Sequence, residues 1–200
     1  VKQLIKRGLD TALVRSAFAA SERLTGYAIQ KQRFRRAHGY ELNLDSPKSF
    51  NEKLCWRKLY DRNPLLPIIV DKSKVREFVA DVLGEDEAKA SLIPLLFETT
   101  QAEKIPFDDL PEKYVVKANL GSGMNMIVRP EFDFSREKII KECRRWLRTN
   151  YAAFNHEWAY QQAERKIVIE DLIYGENGKP PDEFKFHMFD GNCGFVQSNQ

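Results

Sequence analysis

Two hundred residues, 42% hydrophobic and 12% aromatic, are enough to bury the core of one larger domain or of one and a half small ones, which excludes a globally disordered chain. No apolar run approaches the ~18 residues that span a bilayer, and the N-terminus lacks the uninterrupted apolar stretch of a secretory signal. The net charge of +3 is unevenly laid out: residues 1–36 hold nine Lys/Arg against Asp10 and Glu22, a local +7 that leaves −4 for the rest, and this suggests a surface contact rather than a nucleic-acid-binding domain.

Taken in chain order, residues 2–36 read as helical. Ile5, Leu9, Leu13 and Ala17 form an apolar stripe widened by Leu4, Val14 and Phe18, with basic residues opposite. The plain reading is a helix packed on the body with a solvated cationic side; the sharper one is a helix resting on an anionic membrane or partner. His38-Gly39-Tyr40 breaks it. Ser49 and Glu52 form a capping box for a helix over Lys53 to Tyr60, and Asp61-Arg62-Asn63-Pro64 ends that helix. Asp71 is a fitting N-cap for a helix over Lys72 to Leu83, with Val75, Phe78, Val79 and Val82 as its buried face and Gly84 beyond its end. Leu92 to Phe97 is apolar and, despite Pro94, reads as an edge strand or extended connector. Ser135 caps a further helix lined by Ile139, Ile140, Cys143, Trp146 and Leu147, and residues 150–164 are aromatic-rich and partly helical. Lys166 to Ile169 is a strand, and Glu183 to Phe189 turns at Asp190-Gly191-Asn192 into a hairpin with Gly194 to Gln197.

Chemistry concentrates on Lys113 to Val128. A short strand, Tyr114-Val115-Val116, delivers Lys117 into a loop containing Gly121-Ser122-Gly123, and Met126-Ile127-Val128 returns as a second strand. Glycines let backbone N–H groups close over phosphate oxygens while the lysine supplies a point charge. By itself the loop is an ordinary hairpin. It gains meaning from its companions: Lys72 at a helix start, Glu170-Asp171-Leu172-Ile173 leaving a strand, and Glu183 opening another. Two lysines neutralise phosphate, a strand exit can offer backbone groups to an adenine edge, and a carboxylate can accept from ribose hydroxyls. No G-x-x-x-x-G-K-[ST], H-E-x-x-H or G-x-S-x-G is present. The three histidines lie far apart, and His187 in a strand reads as structural. Cys55, Cys143 and Cys193 are odd in number and lack metal-ligand spacing, which fits free thiols in a reducing, cytoplasmic compartment.

Lys117-Ala118-Asn119-Leu120-Gly121-Ser122-Gly123 and Ile169-Glu170-Asp171-Leu172-Ile173-Tyr174-Gly175 resemble the second lysine with its loop and the adenine hinge of the ATP-grasp fold. The wording of Ser49-Phe50-Asn51-Glu52-Lys53-Leu54, Trp56 to Pro64, Asp71-Lys72-Ser73-Lys74-Val75-Arg76, Trp146 to Tyr151 and Glu183-Phe184-Lys185-Phe186 is similar to the TupA-like ATP-grasp group, named for an enzyme of teichuronopeptide synthesis. The resemblance runs from about residue 33 to the end. It implies an α+β, ATP-grasp-like fold of antiparallel-sheet subdomains. The expected segments are a basic helical one over 1–40, a helical region over 41–111, a subdomain with the glycine lid over 112–165, and the start of a second subdomain over 166–200, incomplete at the C-terminus.

The same resemblance implies that Lys72 and Lys117 contact phosphates, that Gly121, Ser122 and Gly123 form the lid, and that Glu170, Asp171 and Ile173 frame adenine mainly through backbone. Glu183 would face the ribose and Lys185 the γ-phosphate, so Lys117 and Lys185 are the catalytic candidates. Arg129 and Arg148 could meet an acidic substrate. The expected ligands are ATP and Mg²⁺. No acidic residue follows Asp190, so the metal ligands are expected beyond residue 200 and the 200 residues alone are expected to be inactive. The implied activity is ATP-dependent ligation of a carboxylate, on a glycan or amino acid, to an amine in cell-surface polysaccharide or capsule synthesis. That work would take place in the cytoplasm or at the inner membrane face through residues 1–36. The alternatives are a glycosyltransferase-like protein and a non-catalytic nucleotide or glycan binder.

Overall fold

A computed structural model describes residues 12–132, 134–149, 156–175, 178 and 181–199. The expected N-terminal helix starts, and the Asn150-Tyr151 end of one family-like motif falls, outside the described residues. What is described is an α+β protein with antiparallel sheets.

The single helix expected over 2–36 is two: α1, Ala12–Leu24, and α2, Ala28–His38. Between them Gly26 and Tyr27 take left-handed φ of 59° and 62°. Glu22, 1% exposed, holds the corner: its carboxylate accepts from the Ile29 and Gln30 amides, at 3.0 and 3.1 Å, in the first turn of α2. A negative charge at unsatisfied first-turn amides stabilises a helix start. Phe34 of α2 packs with Leu42, Leu44 and Leu59 into a small separate core.

Helix α3, Phe50–Tyr60, begins with the complete capping box expected at Ser49 and Glu52. Glu52 does more than close the box, because its oxygens also accept from the Asn43 and Lys48 amides at 3.2 and 2.9 Å. These hydrogen bonds, led by those from Ser49 and Lys48, pull its pKa to about 2. After the single turn α4, Leu66–Ile69, helix α5 occupies Lys74–Leu83. It starts two residues later than Asp71 suggested, because the Asp71 side chain accepts from the Ser73 amide at 2.9 Å and ties down the turn ahead of the helix. Its expected buried face is only half-buried, and Val82 is 64% exposed. Helix α6, Glu85–Ser91, follows; its acidic first turn, Glu85-Asp86-Glu87, is the local signal that marks it.

Four strands form one sheet in the order β1-β4-β2-β3: Leu95–Thr99, Ile167–Asp171, Tyr114–Ala118 and Asn125–Val128. β1 lies at an edge, the first of the two readings expected for residues 92–97, and begins just after Pro94. β4 pairs with both β1 and β2. Register sorts the two faces. Tyr114, Val116, Ala118, Ile167 and Ile169 point to helix α7, Arg136–Arg148, which buries Ile139, Cys143 and Trp146 against them. Val115, Lys117, Val168, Glu170 and Glu98 share the opposite face. Cys143 lies on the core face, where burial pushes its thiol up to about 12. Strands β5, Glu183–Phe189, and β6, Asn192–Asn199, form a separate two-stranded sheet closed by Asp190-Gly191, both at positive φ as that tight turn requires.

A carboxyl whose folded pKa lies below its unfolded value of 4.5 stabilises the fold above that pH and loses the contribution as pH falls toward about 2. Thermal melts between about pH 5 and about pH 1.5 are therefore expected to show a decline in wild-type stability that Glu52→Gln flattens.

Candidate functional site

The site grows from a buried polar knot. Asp71 and Asn119 are each 1% exposed, and the Asn119 amide nitrogen donates to Asp71 Oδ1 at 3.0 Å and to the Glu164 carbonyl at 2.8 Å. The Asn119 side-chain oxygen accepts from the Lys166 amide at 2.8 Å, while its main chain exchanges bonds with Lys166 and Lys72. One side chain thus fastens the turn before α5 and the approach to β4 to the loop after β2. Buried polar groups of this kind persist only when satisfied.

The knot delivers Lys72 under the glycine loop. Its ammonium donates to three carbonyls, Ala118 at 3.1 Å, Asn119 at 3.3 Å and Gly121 at 2.9 Å, which uses all three of its protons. Burial lowers its pKa first and the neighbouring Lys117 lowers it further, against the opposing pull of Glu170 and Asp71. Gly121 and Gly123 take φ of 84° and 70°, a left-handed region that a side chain strains, so the tight loop needs these glycines. The bond from the Ala118 amide to the Met124 carbonyl, 2.9 Å, closes its base.

Lys117, at the end of β2, points to the face away from α7 and meets Glu170 of β4, with Nζ to Oε2 at 2.5 Å. Arg76 of α5 approaches the other oxygen at 3.7 Å, and its guanidinium also donates to the Ile93 carbonyl. Along the same face Glu98 accepts from Lys166 at 2.6 Å and from the Ser73 hydroxyl. Burial would raise the Glu98 carboxyl, but these hydrogen bonds outweigh it and hold it below the ordinary carboxylate range. Four cations, Lys72, Arg76, Lys117 and Lys166, here face three carboxylates, Asp71, Glu98 and Glu170.

The structure therefore brings Lys72, Lys117, Gly121 and Glu170 together. Ser122 and Gly123 form the exposed tip of the loop. At the end of β4 the Asp171 amide bonds the Pro94 carbonyl at 3.0 Å, the Asp171 carboxylate accepts from the Leu172 amide at 2.8 Å, and Ile173 is 44% exposed. Beside it, a groove of about 380 Å³ runs between α5, α6 and the start of β1, lined by Arg76, Ala80, Ala88, Ile93, Pro94 and Leu95. Glu183 and Lys185 pair with each other at 3.3 Å on the separate hairpin. Arg129 lies over Phe132, 4.5 Å from the ring centroid, and Arg148 ends α7. His187 stacks on Phe195 at 4.1 Å, which agrees with a structural role.

Arg76, Glu98, Asn119 and Lys166 are members of this cluster that sequence reasoning missed. Arg76 had a local signal, since it lies four residues past Lys72, near the start of a helix. Glu98 and Lys166 had none, because strand register decides which face they join.

Two outcomes follow from the knot and the lysine clamp. Asn119→Ala leaves several buried groups unpaired and is expected to cost about 2–4 kcal/mol in denaturant unfolding. Lys72→Ala is expected to speed amide hydrogen exchange across residues 119–124 while β4 remains protected; unchanged exchange there would show that the clamp does not restrain the loop.

A family model described as TupA-like ATPgrasp matches residues 52–199, a span that takes in the knot, both lysines, the glycine loop and the hairpin. No curated protein and no solved structure matches. Family membership carries ATP binding and, at a coarse level, ligase-type enzymology. The chain belongs to the TupA-like ATPgrasp family.

Proposed function

We propose that this protein binds ATP on the exposed side of the Lys72–Lys117–Gly121 cluster and serves an ATP-dependent ligase that joins a carboxylate to an amine. The observation that carries the reading is electrostatic. The Lys72 ammonium sits beneath the glycine loop on the Ala118, Asn119 and Gly121 carbonyls, Lys117 meets Glu170 close by, and burial first and the Lys117 charge second lower the pKa of Lys72. A polyanion placed there relieves that repulsion, and a triphosphate supplies several charges on one flexible chain.

In this reading Lys72 and Lys117 contact phosphate oxygens and Gly121-Ser122-Gly123 closes over them. The backbone of Glu170, Asp171 and Ile173 borders the adenine, while the Glu170 carboxylate stays with Lys117 and Arg76. Glu183 takes the ribose hydroxyls and Lys185 the γ-phosphate, which requires the hairpin to face the same ligand. A carboxylate oxygen of the acceptor attacks the γ-phosphorus as the bond to the β–γ bridging oxygen breaks, giving an acyl phosphate and ADP. The amine then attacks the acyl carbon, loses a proton and expels phosphate. Fixed cations that meet charge as it develops on the transferred group lower the barrier without reorganising. The proposed setting is cell-surface polysaccharide synthesis, on the strength of family resemblance.

Magnesium is the metal that such chemistry implies, and the described residues do not fit it. Among the described residues no group of three His, Cys, Asp or Glu side chains could hold a metal ion, and Glu98 and Glu170 are already engaged by cations. The chemistry above therefore assigns no step to a metal. No helix among the described residues is long and apolar enough to cross a membrane.

Titration calorimetry of wild-type protein with ATP is expected to show saturable binding, weakened roughly tenfold or more in Lys117→Ala. Undiminished affinity in that variant would overturn the placement of the phosphates.

A further inference from the structure

We propose that Arg76 is a positioning residue that lets Lys117 change partners: it holds the Glu170 carboxylate while the Lys117 ammonium moves from Glu170 to a nucleotide phosphate. This rests on the ATP-binding reading above and adds what that reading leaves open, namely how a lysine already in an ion pair becomes available.

The geometry states the problem plainly. Lys117 Nζ stands 2.5 Å from Glu170 Oε2, and the Glu170 side chain is 8% exposed. A carboxylate that deep is strongly penalised when its partner leaves, because removing one member of a buried pair strands the other charge. Lys117 and Glu170 taken alone are neutral, so an arriving phosphate would compete for the lysine against a carboxylate with nowhere to go. Arg76 changes that sum. With its guanidinium 3.7 Å from Glu170 Oε1, the trio carries one surplus positive charge, which the phosphate can take.

Position also distinguishes the two cations. The Lys117 side chain is 23% exposed and that of Arg76 16%, so the lysine is the more accessible partner. The guanidinium is anchored at its far side by the Ile93 carbonyl beside β1, which keeps Arg76 at the carboxylate instead of in the solvent. Its planar fork can engage both oxygens of Glu170 once the lysine departs, which an ammonium cannot do with the same geometry. The rival role is purely structural, with Arg76 fastening α5 to the start of β1 through Ile93.

ATP titrations of wild type, R76A, E170Q and the double variant R76A/E170Q separate these roles, with thermal melts to confirm folding. R76A is expected to bind ATP about tenfold more weakly, and E170Q in the same chain to restore affinity to near the wild-type value, because an uncharged glutamine no longer holds Lys117. A double variant as weak as R76A shows that Arg76 only anchors α5 and overturns the proposal. So does R76A with wild-type affinity, in which case ATP binding itself stands. A wild-type protein that does not bind ATP removes the nucleotide reading and this proposal together. Should R76A fail to fold, E170Q decides alone: affinity at or above wild type supports partner exchange, and a fall refutes it.

Discussion

The contact on which the rest depends is the hydrogen bond between Asn119 and Asp71. Both are buried, they lie 48 positions apart in sequence, and a third segment at Glu164–Lys166 closes on the same amide. A leucine at 119 would fill the volume but strand the Glu164 carbonyl and the Lys166 amide, and one at 71 would strand the Ser73 amide. The knot does not merely stabilise. It sets where the α5 approach meets the sheet, and hence where Lys72 emerges relative to the glycine loop. Hydrophobic packing of α7 on the other face of the sheet supplies the larger share of stability, but it is indifferent to where Lys72 points.

Each of the four clustered cations has a counterpart within the protein itself. Lys72 is capped by carbonyls, Lys117 by Glu170, and Lys166 by Glu98. Such internal pairing lets four cations share a small region without driving it apart, at the cost that a polyanionic ligand must displace part of it. On the proposed ATP-binding reading the site is one of exchange: affinity is the difference between two sets of good contacts, and discrimination falls on ligands with enough charge to win that exchange.

Local chemistry made much of this legible in the sequence. The capping box at Ser49 and Glu52, the Asp190-Gly191 turn and the Lys117 glycine loop each depend on a few consecutive residues, and each formed where the pattern placed it. Long-range contacts did not announce themselves. The break at Gly26-Tyr27 is held by Glu22 reaching across to α2, and apolar spacing on either side reads through it. Asp71 looked like a helix cap and serves the knot as well, so α5 begins later than its pattern suggests. Val82 fits the apolar stripe of α5 and is nevertheless exposed, since periodicity shows which face a residue joins and not whether anything covers it. Glu170 read as a hinge residue; that its partners would be Lys117 and Arg76 depends on how three elements meet.

The manner in which Lys72 grips the loop has a consequence for how the loop can vary. Its three acceptors are main-chain carbonyls, and every amino acid brings the same carbonyl. At Ser122, which is exposed and lends it no acceptor, the side chain can be exchanged without loosening the grip, whereas Leu120 is buried and the left-handed turns at 121 and 123 require their glycines. A restraint that recognises backbone leaves the loop's outward chemistry open to redesign, with its closing geometry intact.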